Sequence, residues 1–189
     1  MRRWMASCIV LCAATASMAQ SPAENPQVSS AKAFYSYMKG NVLKTAEKVP
    51  KVSYAYRATP KVRTIGQLLA HIADAQFAFC GIVKTGQPVT KDVEKTAKTK
   101  ADISQALNDS FALCDEVWAS LTDANSAEIV QFRGPVTKLS LMSFDTAHGL
   151  EHYGNLVTYM RLLRIVPPSS EEAPKPAAKT PAKPPAKQD

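Results

Sequence analysis

Residues 138–165 read KLSLMSFDTAHGLEHYGNLVTYMRLLRI, and this stretch decides the fold. At ~100° per residue, seven of its side chains fall within about a quarter-turn of one helical face. They are Leu141, Asp145, His148, His152, Leu156, Tyr159 and Leu163. Pro167 and Pro168 follow, and they cannot continue a helix. The stretch therefore predicts a long helix that turns two histidines and an aspartate toward the protein interior.

The same spacing of apolar side chains predicts three more helices. One spans residues 29–49, the next begins at the capping-box pair Thr64 and Gln67 and ends before Gly86, and the third spans residues 101–121. We find no strand pattern, and residues 122–136 are predicted to be irregular. Four helices of ~20 residues joined by two longer connections predict an all-α four-helix bundle.

The two ends of the chain differ from the middle. Arg2 and Arg3 precede an apolar run that leads to Ala19, which predicts a signal peptide at residues 1–19 and a periplasmic or secreted protein cleaved after Ala19. Residues 169–189 are rich in Pro, Ala and Lys and are predicted to be disordered. The bundle is then one domain at residues 26–168, in which we expect no transmembrane span.

The charge argues against nucleic-acid binding. The formal charge of +7 falls to +4 for the domain, because Arg2 and Arg3 account for two positive charges and the tail for a net one. This excess is scattered, whereas a nucleic-acid surface clusters basic residues. The lysines of the tail are consistent with a solubilising segment or with contact to an anionic cell envelope.

Two cysteines remain after removal of residues 1–19, namely Cys80 and Cys114. An oxidising compartment permits a disulfide between them. Two small buried side chains that never meet would give the same sequence. The spacing alone leaves both interpretations open.

The chain has three histidines, His71, His148 and His152, and all fall at core-facing helical positions. His148 and His152 are four residues apart, which lets two imidazoles share one metal ion. His71 lies on the second helix and is the predicted third ligand. Imidazole suits zinc, nickel, copper and iron, of which we expect zinc or nickel as the divalent ion. The alternative is that each histidine is a hydrogen-bonded core residue.

Acidic residues near the pair have several interpretations. Asp145 is a fourth ligand, an acceptor for an imidazole N–H, or a charge that favours the helix start. Residues 148–152 also match H-x-x-E-H, the inverzincin peptidase pattern with Glu151 as base. Those peptidases need a further acidic ligand downstream, where this chain has only the end of the helix and the tail. We therefore disfavour a peptidase.

Two segments, residues 64–75 (TIGQLLAHIADA) and 147–161 (AHGLEHYGNLVTYMR), resemble the DinB-like family. The resemblance implies a metal-binding four-helix bundle with one histidine on the second helix and an H-x3-H pair on the fourth. The loop at residues 56–60 and the positions of Cys80 and Cys114 resemble the exported branch of that family. Members of the family include thiol-dependent S-transferases and a maleylpyruvate isomerase, but an exported protein would not ordinarily meet their low-molecular-weight thiols.

We expect a metal-dependent hydrolase or transferase that acts on an unknown small molecule. Glu151, Asp145 or Tyr153 would carry protons, and Arg161 would steer an anionic group. The competing hypothesis is a non-catalytic metal-binding or envelope-interaction domain with a fully coordinated ion. A homodimer is compatible with either hypothesis.

Overall fold

The computed structural model describes residues 24–171. Within that range the four long helices are α1 Pro26–Lys48, α2 Ile65–Thr85, α4 Lys100–Ser120 and α5 Lys138–Leu162, and the short helix α3 Val93–Thr96 precedes α4. Helices α1 and α2 each pack against both α4 and α5. This arrangement confirms the predicted all-α four-helix bundle. The predicted signal peptide, residues 1–19, and residues 172–189 of the predicted tail lie outside the described residues.

Three of the long helices begin at a threonine that caps the free amides of the first turn. The Thr64 side chain accepts from the Gln67 amide and the Gln67 side chain returns to the Thr64 amide, as the sequence predicts. Thr99 and Asp102 form the same reciprocal pair before α4, and Thr137 caps α5. Local sequence therefore sets where these helices begin.

Helix α1 begins three residues earlier than predicted. Pro26 occupies its first turn, where the missing amide hydrogen of proline costs nothing. The Asp123 carboxylate accepts from the backbone amides of Gln27 and Val28, at 3.1 and 2.9 Å. The side chain of Asn25 at the helix start makes no such bond, so a distant side chain satisfies these donors.

The segment predicted to be irregular contains a small antiparallel hairpin, so the expectation of no strand was wrong there. Strand β1 is Ile129–Gln131 and pairs with β2, Pro135–Thr137. Arg133 and Gly134 make the turn with positive φ angles of 53° and 136°. Three-residue strands are too short to show the alternation that identifies a strand in a sequence.

Helix α5 ends at Leu162, three residues before the predicted end at residue 165. Arg164 adopts a left-handed conformation with φ of 59°, which reverses the chain. The amide of Ile165 then donates to the carbonyl of Met160 at 2.8 Å and closes the last turn.

The chain stays packed beyond residue 168, where the predicted tail begins. A 3-10 turn spans Pro168–Ser170, and the Tyr153 hydroxyl donates to Ser169 Oγ at 2.8 Å. Lys48 pairs with Glu171 at 2.5 Å. The packed part of the domain therefore extends at least to Glu171.

Helix α2 lies at the centre of the bundle. Among residues 24–171 it alone is long and apolar enough to cross a membrane, and most of that apolar stretch is buried inside the bundle. Cys80 on α2 and Cys114 on α4 are fully buried and form a disulfide with Cα atoms 5.2 Å apart. Of the two interpretations that the sequence leaves open, the structure has the bridge.

Candidate metal centre

His148 and His152 lie on consecutive turns of α5 and direct the same nitrogen toward each other. Their Nε2 atoms are 3.0 Å apart. Two nitrogens bound to one tetrahedral zinc at ~2.05 Å would be about 3.3 Å apart. The separation of the two imidazoles is therefore close to that of two ligands of one ion.

His71 reaches the same point from α2. Its ring centroid lies 4.8 Å from that of His152 and 5.2 Å from that of His148. One ligand nitrogen from each of the three residues lies within 4.8 Å of the other two. The structure thus brings together all three histidines that the sequence singles out, and the group could hold a metal ion.

A carboxylate that the sequence analysis missed supports His71. Glu94 Oε2 lies 3.6 Å from His71 Nδ1, so Nε2 is the nitrogen left for an ion. Glu94 also accepts from Arg63 Nε at 3.0 Å, which holds the carboxylate in place. A carboxylate behind a ligating histidine fixes the orientation of the ring and raises its basicity.

Glu94 belongs to α3, and Asp74 anchors this short helix to α2. The Asp74 carboxylate accepts from the backbone amides of Val93 and Glu94, at 2.7 and 3.0 Å. Asp74 is three residues after His71, so α2 provides both the ligand and the anchor for its supporting carboxylate. Asp74 belongs to the helix-two segment that carries the family resemblance, but no pattern in the sequence links it to α3.

The other two imidazoles lack such support. Nδ1 of His148 and Nδ1 of His152 are buried and have no hydrogen-bond partner among the described residues. Without an ion, the two Nε2 atoms can share one hydrogen at 3.0 Å, and both Nδ1 atoms are left without a partner. An ion would instead take the lone pair of each Nε2 and leave an N–H at each Nδ1. The convergence of the Nε2 atoms is therefore the observation that fits a metal.

The electrostatic environment keeps all three imidazoles neutral at pH 7. Burial lowers the pKa of His148 to about 4, and the nearby His152 and His71 contribute to the shift. Burial is also the main cause of the lowered pKa of His71 and of His152, and Glu94 opposes the shift in both. Neutral imidazole is the form that binds metal.

Asp145 does not join the histidines, so its prediction as a fourth ligand or imidazole acceptor was wrong. It accepts a hydrogen bond from Gln76 at 2.8 Å and lies beside the sulfurs of Cys80 and Cys114. Asp145 is three residues before His148 and seven before His152 on the same side of α5. Its carboxyl group nevertheless bonds to Gln76 beside the disulfide, which a helical wheel does not show.

Two other predicted participants have structural roles away from the histidines. Tyr153 is buried and its hydroxyl donates to Ser169. Arg161 donates to Ser170 Oγ at 2.8 Å. Both side chains hold the C-terminal turn against α5. Glu151 is exposed, and its charge raises the pKa of His71 and His152 against the effect of burial.

A cleft of about 550 Å³ opens beside His152. One wall is the loop before α2, and the other wall is α5. The side chains that matter for its chemistry are Arg57, Lys61, Arg63, Glu94, Asn155 and Tyr159. The candidate metal centre is therefore open to a small molecule on this side.

Comparison with known proteins identifies the family of this chain. Residues 36–156, more than half of the chain, match the DinB superfamily. The sequence matches no curated protein.

Solved structures share the fold. A DinB-like protein from Bacillus cereus is 17% identical with a TM-score of 0.64, over 74% of this chain and 95% of its own. A DinB-like protein from Bacillus subtilis is 21% identical with a TM-score of 0.58, over 73% and 92%. A mycothiol-dependent maleylpyruvate isomerase is 15% identical with a TM-score of 0.58, over 68% and 60%. The match to the superfamily, together with this shared fold, means that the chain belongs to the DinB superfamily.

Proposed function

We propose that this protein is exported, binds one divalent metal ion through His71, His148 and His152, and acts as a metal-dependent hydrolase or transferase. One observation carries the proposal: three neutral imidazoles converge beside an open cleft that one of them, His152, lines. A zinc ion bound there would supply a Lewis acid with an open coordination position.

The residues of the chain have separate tasks in this proposal. The three imidazoles hold the ion, and Glu94 holds the ring of His71 in the orientation that leaves Nε2 free. Arg63 fixes Glu94 and places a positive charge next to the histidines. The wall of α5 and the loop before α2 admit the substrate from one side.

The position of Asp145 favours a catalytic site over the competing non-catalytic one. A closed structural zinc site usually has four protein ligands. Within residues 24–171, the group of ligand atoms around the histidines contains no fourth His, Cys, Asp or Glu. An ion held by the three histidines would therefore keep a coordination position for substrate, which supports the enzyme hypothesis.

The relationship to a mycothiol-dependent isomerase concerns fold at 15% identity, and we do not transfer the thiol to this chain. Export would separate the protein from the usual thiol pool. Two features support export: the charged and apolar order of residues 1–19, and the disulfide between Cys80 and Cys114, which is typical of an oxidising compartment. The mass of the exported protein tests this, because we expect it to lack residues 1–19.

The deciding experiment for the metal is elemental analysis of full-chain protein purified without chelator or nickel resin. We expect about one equivalent of zinc or nickel, and a large loss of metal in His148→Ala. The control is Gln76→Ala, which alters the buried core and spares the three histidines. A protein that carries no metal and takes up neither added zinc nor added nickel would refute the proposal.

A further inference from the structure

Three basic side chains line the cleft next to His152. Arg57, Lys61 and Arg63 all lie on the loop between the 3-10 turn Lys51–Ala55 and α2, and all three are exposed. Three of the positive charges of the domain are therefore gathered beside the candidate metal site.

The loop is fixed over the cleft from both of its ends. The carbonyl of Tyr56 accepts from the amide of Ile65, the first residue of α2, at 2.9 Å. The ring of Tyr56 packs edge-on against Tyr159 of α5 with centroids 5.8 Å apart. Arg57 is held within the loop by a 3.3 Å hydrogen bond to the carbonyl of Pro60. The basic side chains are therefore presented by an anchored segment.

The charge of the cleft is only partly balanced. Glu94 is its one carboxylate, and it is occupied by Arg63 at 3.0 Å and faces His71. Arg57 and Lys61 form no ion pair with any carboxylate in residues 24–171. A divalent ion on the histidines would add to this positive charge. A cleft lined by one sign of charge concentrates ligands of the opposite sign.

We propose that the cleft binds a small-molecule substrate through an anionic group, a carboxylate or a phosphate, that Arg57 and Lys61 hold while its reacting part lies at the histidines. This inference rests on the proposed function and names its substrate class. The planar guanidinium of Arg57 matches both groups with paired hydrogen bonds, and Lys61 adds a point charge. The volume of about 550 Å³ lies in the range of small-molecule sites.

Calorimetric titration of inorganic phosphate and of malonate tests the inference. Each probe is added to the full-chain protein, first without metal and then with one equivalent of zinc. We expect Arg57→Ala and Lys61→Ala each to weaken binding of the preferred anion about tenfold, as for a lost hydrogen bond to a charged group. The probe that binds more tightly identifies the anionic group.

Arg161→Ala is the matched control, because it removes a positive charge from α5 outside the cleft. It should change neither anion affinity nor zinc content. Equal anion affinity in wild type, Arg57→Ala and Lys61→Ala, with zinc still bound, would overturn the inference and leave the metal site intact. Absence of both zinc and nickel binding would instead refute the proposed function, and the response of the metal-free protein to Arg57→Ala would then decide the anion site alone.

Discussion

The side-chain amide of Gln76 donates a 2.8 Å hydrogen bond to Asp145 Oδ1, and both residues are fully buried between α2 and α5. The other oxygens, Gln76 Oε1 and Asp145 Oδ2, have no partner among the described residues. A carboxylate would leave both acceptors unsatisfied, whereas a protonated Asp145 has a hydrogen to donate. Burial, partly offset by the bond from Gln76, raises the pKa of Asp145 to about 8. Burial thus favours the protonated, neutral form of Asp145.

The raised pKa of Asp145 predicts a loss of stability as pH rises. The unfolded chain releases this proton near pH 4 and the folded protein near pH 8, so the folded state binds more protons between these values. The contribution to the free energy of unfolding is complete below pH 4 and is lost as pH rises to 8. Asp145→Asn stays neutral, so its stability relative to wild type should increase by at least about 1 kcal/mol from pH 5 to pH 8.

Urea unfolding of both proteins at pH 5 and pH 8 measures this difference. Asp109→Asn is the control, because Asp109 is exposed and, among residues 24–171, is bonded only to Gln105. Parallel stability of wild type and Asp145→Asn across this pH range would mean that Asp145 is ionised when folded.

The disulfide between α2 and α4 predicts a second effect on stability. Cys80 and Cys114 are 34 residues apart, and closing a loop of this size lowers the entropy of the unfolded chain. Replacing both with Ala should reduce the free energy of unfolding by about 2–4 kcal/mol. Thiol titration of denatured, unreduced protein provides the direct check, since two free thiols would contradict the bridge.

Glu94 is expected to raise the metal affinity of the site without contacting the ion. In Glu94→Gln the bond to Arg63 can persist, but the charge that orients His71 is lost. We expect zinc affinity to fall about tenfold, as for other supporting carboxylates of ligating histidines. Competition with a chromophoric chelator measures it. Glu116→Gln is the control, because Glu116 pairs with Lys84 away from the site. Equal losses of zinc affinity in the two variants would show that Glu94 does not support His71.

Features set by neighbouring residues could be predicted from the sequence. The Thr64–Gln67 capping box gives the start of α2, because both hydrogen bonds form within one turn. The spacing of His148 and His152 places them on one face of α5, because the helix fixes that geometry. Four segments with helical spacing of their apolar side chains are enough to predict the bundle.

Features set by distant contacts could not be predicted in this way. Asp123 determines where α1 begins, and Asp74 brings Glu94 to His71 through two backbone amides. Neither contact follows from a periodic pattern in the sequence. Asp145 shows a different limit, because the helical angle places it on the side of His148 and His152 but does not show that its carboxyl group bonds to Gln76.

The shared site itself gives the sharpest prediction. If His71, His148 and His152 hold one ion, replacing any one with Ala should lower both metal content and melting temperature. A second replacement should then add little, because ligands of one ion act as a unit and their losses are not additive. Independent core histidines would give additive losses of stability and unchanged metal.

The double substitution His71→Ala/His148→Ala, compared with each single variant, distinguishes the two cases by elemental analysis and thermal unfolding in the same buffer. Gln76→Ala again serves as control, since it should lower the melting temperature and keep the metal. The pKa of all three imidazoles is lowered, so protons compete for the ligand nitrogens only at a pH below the ordinary value of about 6.5. Metal should therefore stay bound at pH 7 and be lost only below that value. A His148→Ala protein that keeps a full equivalent of metal at unchanged affinity would show that the three histidines do not share an ion.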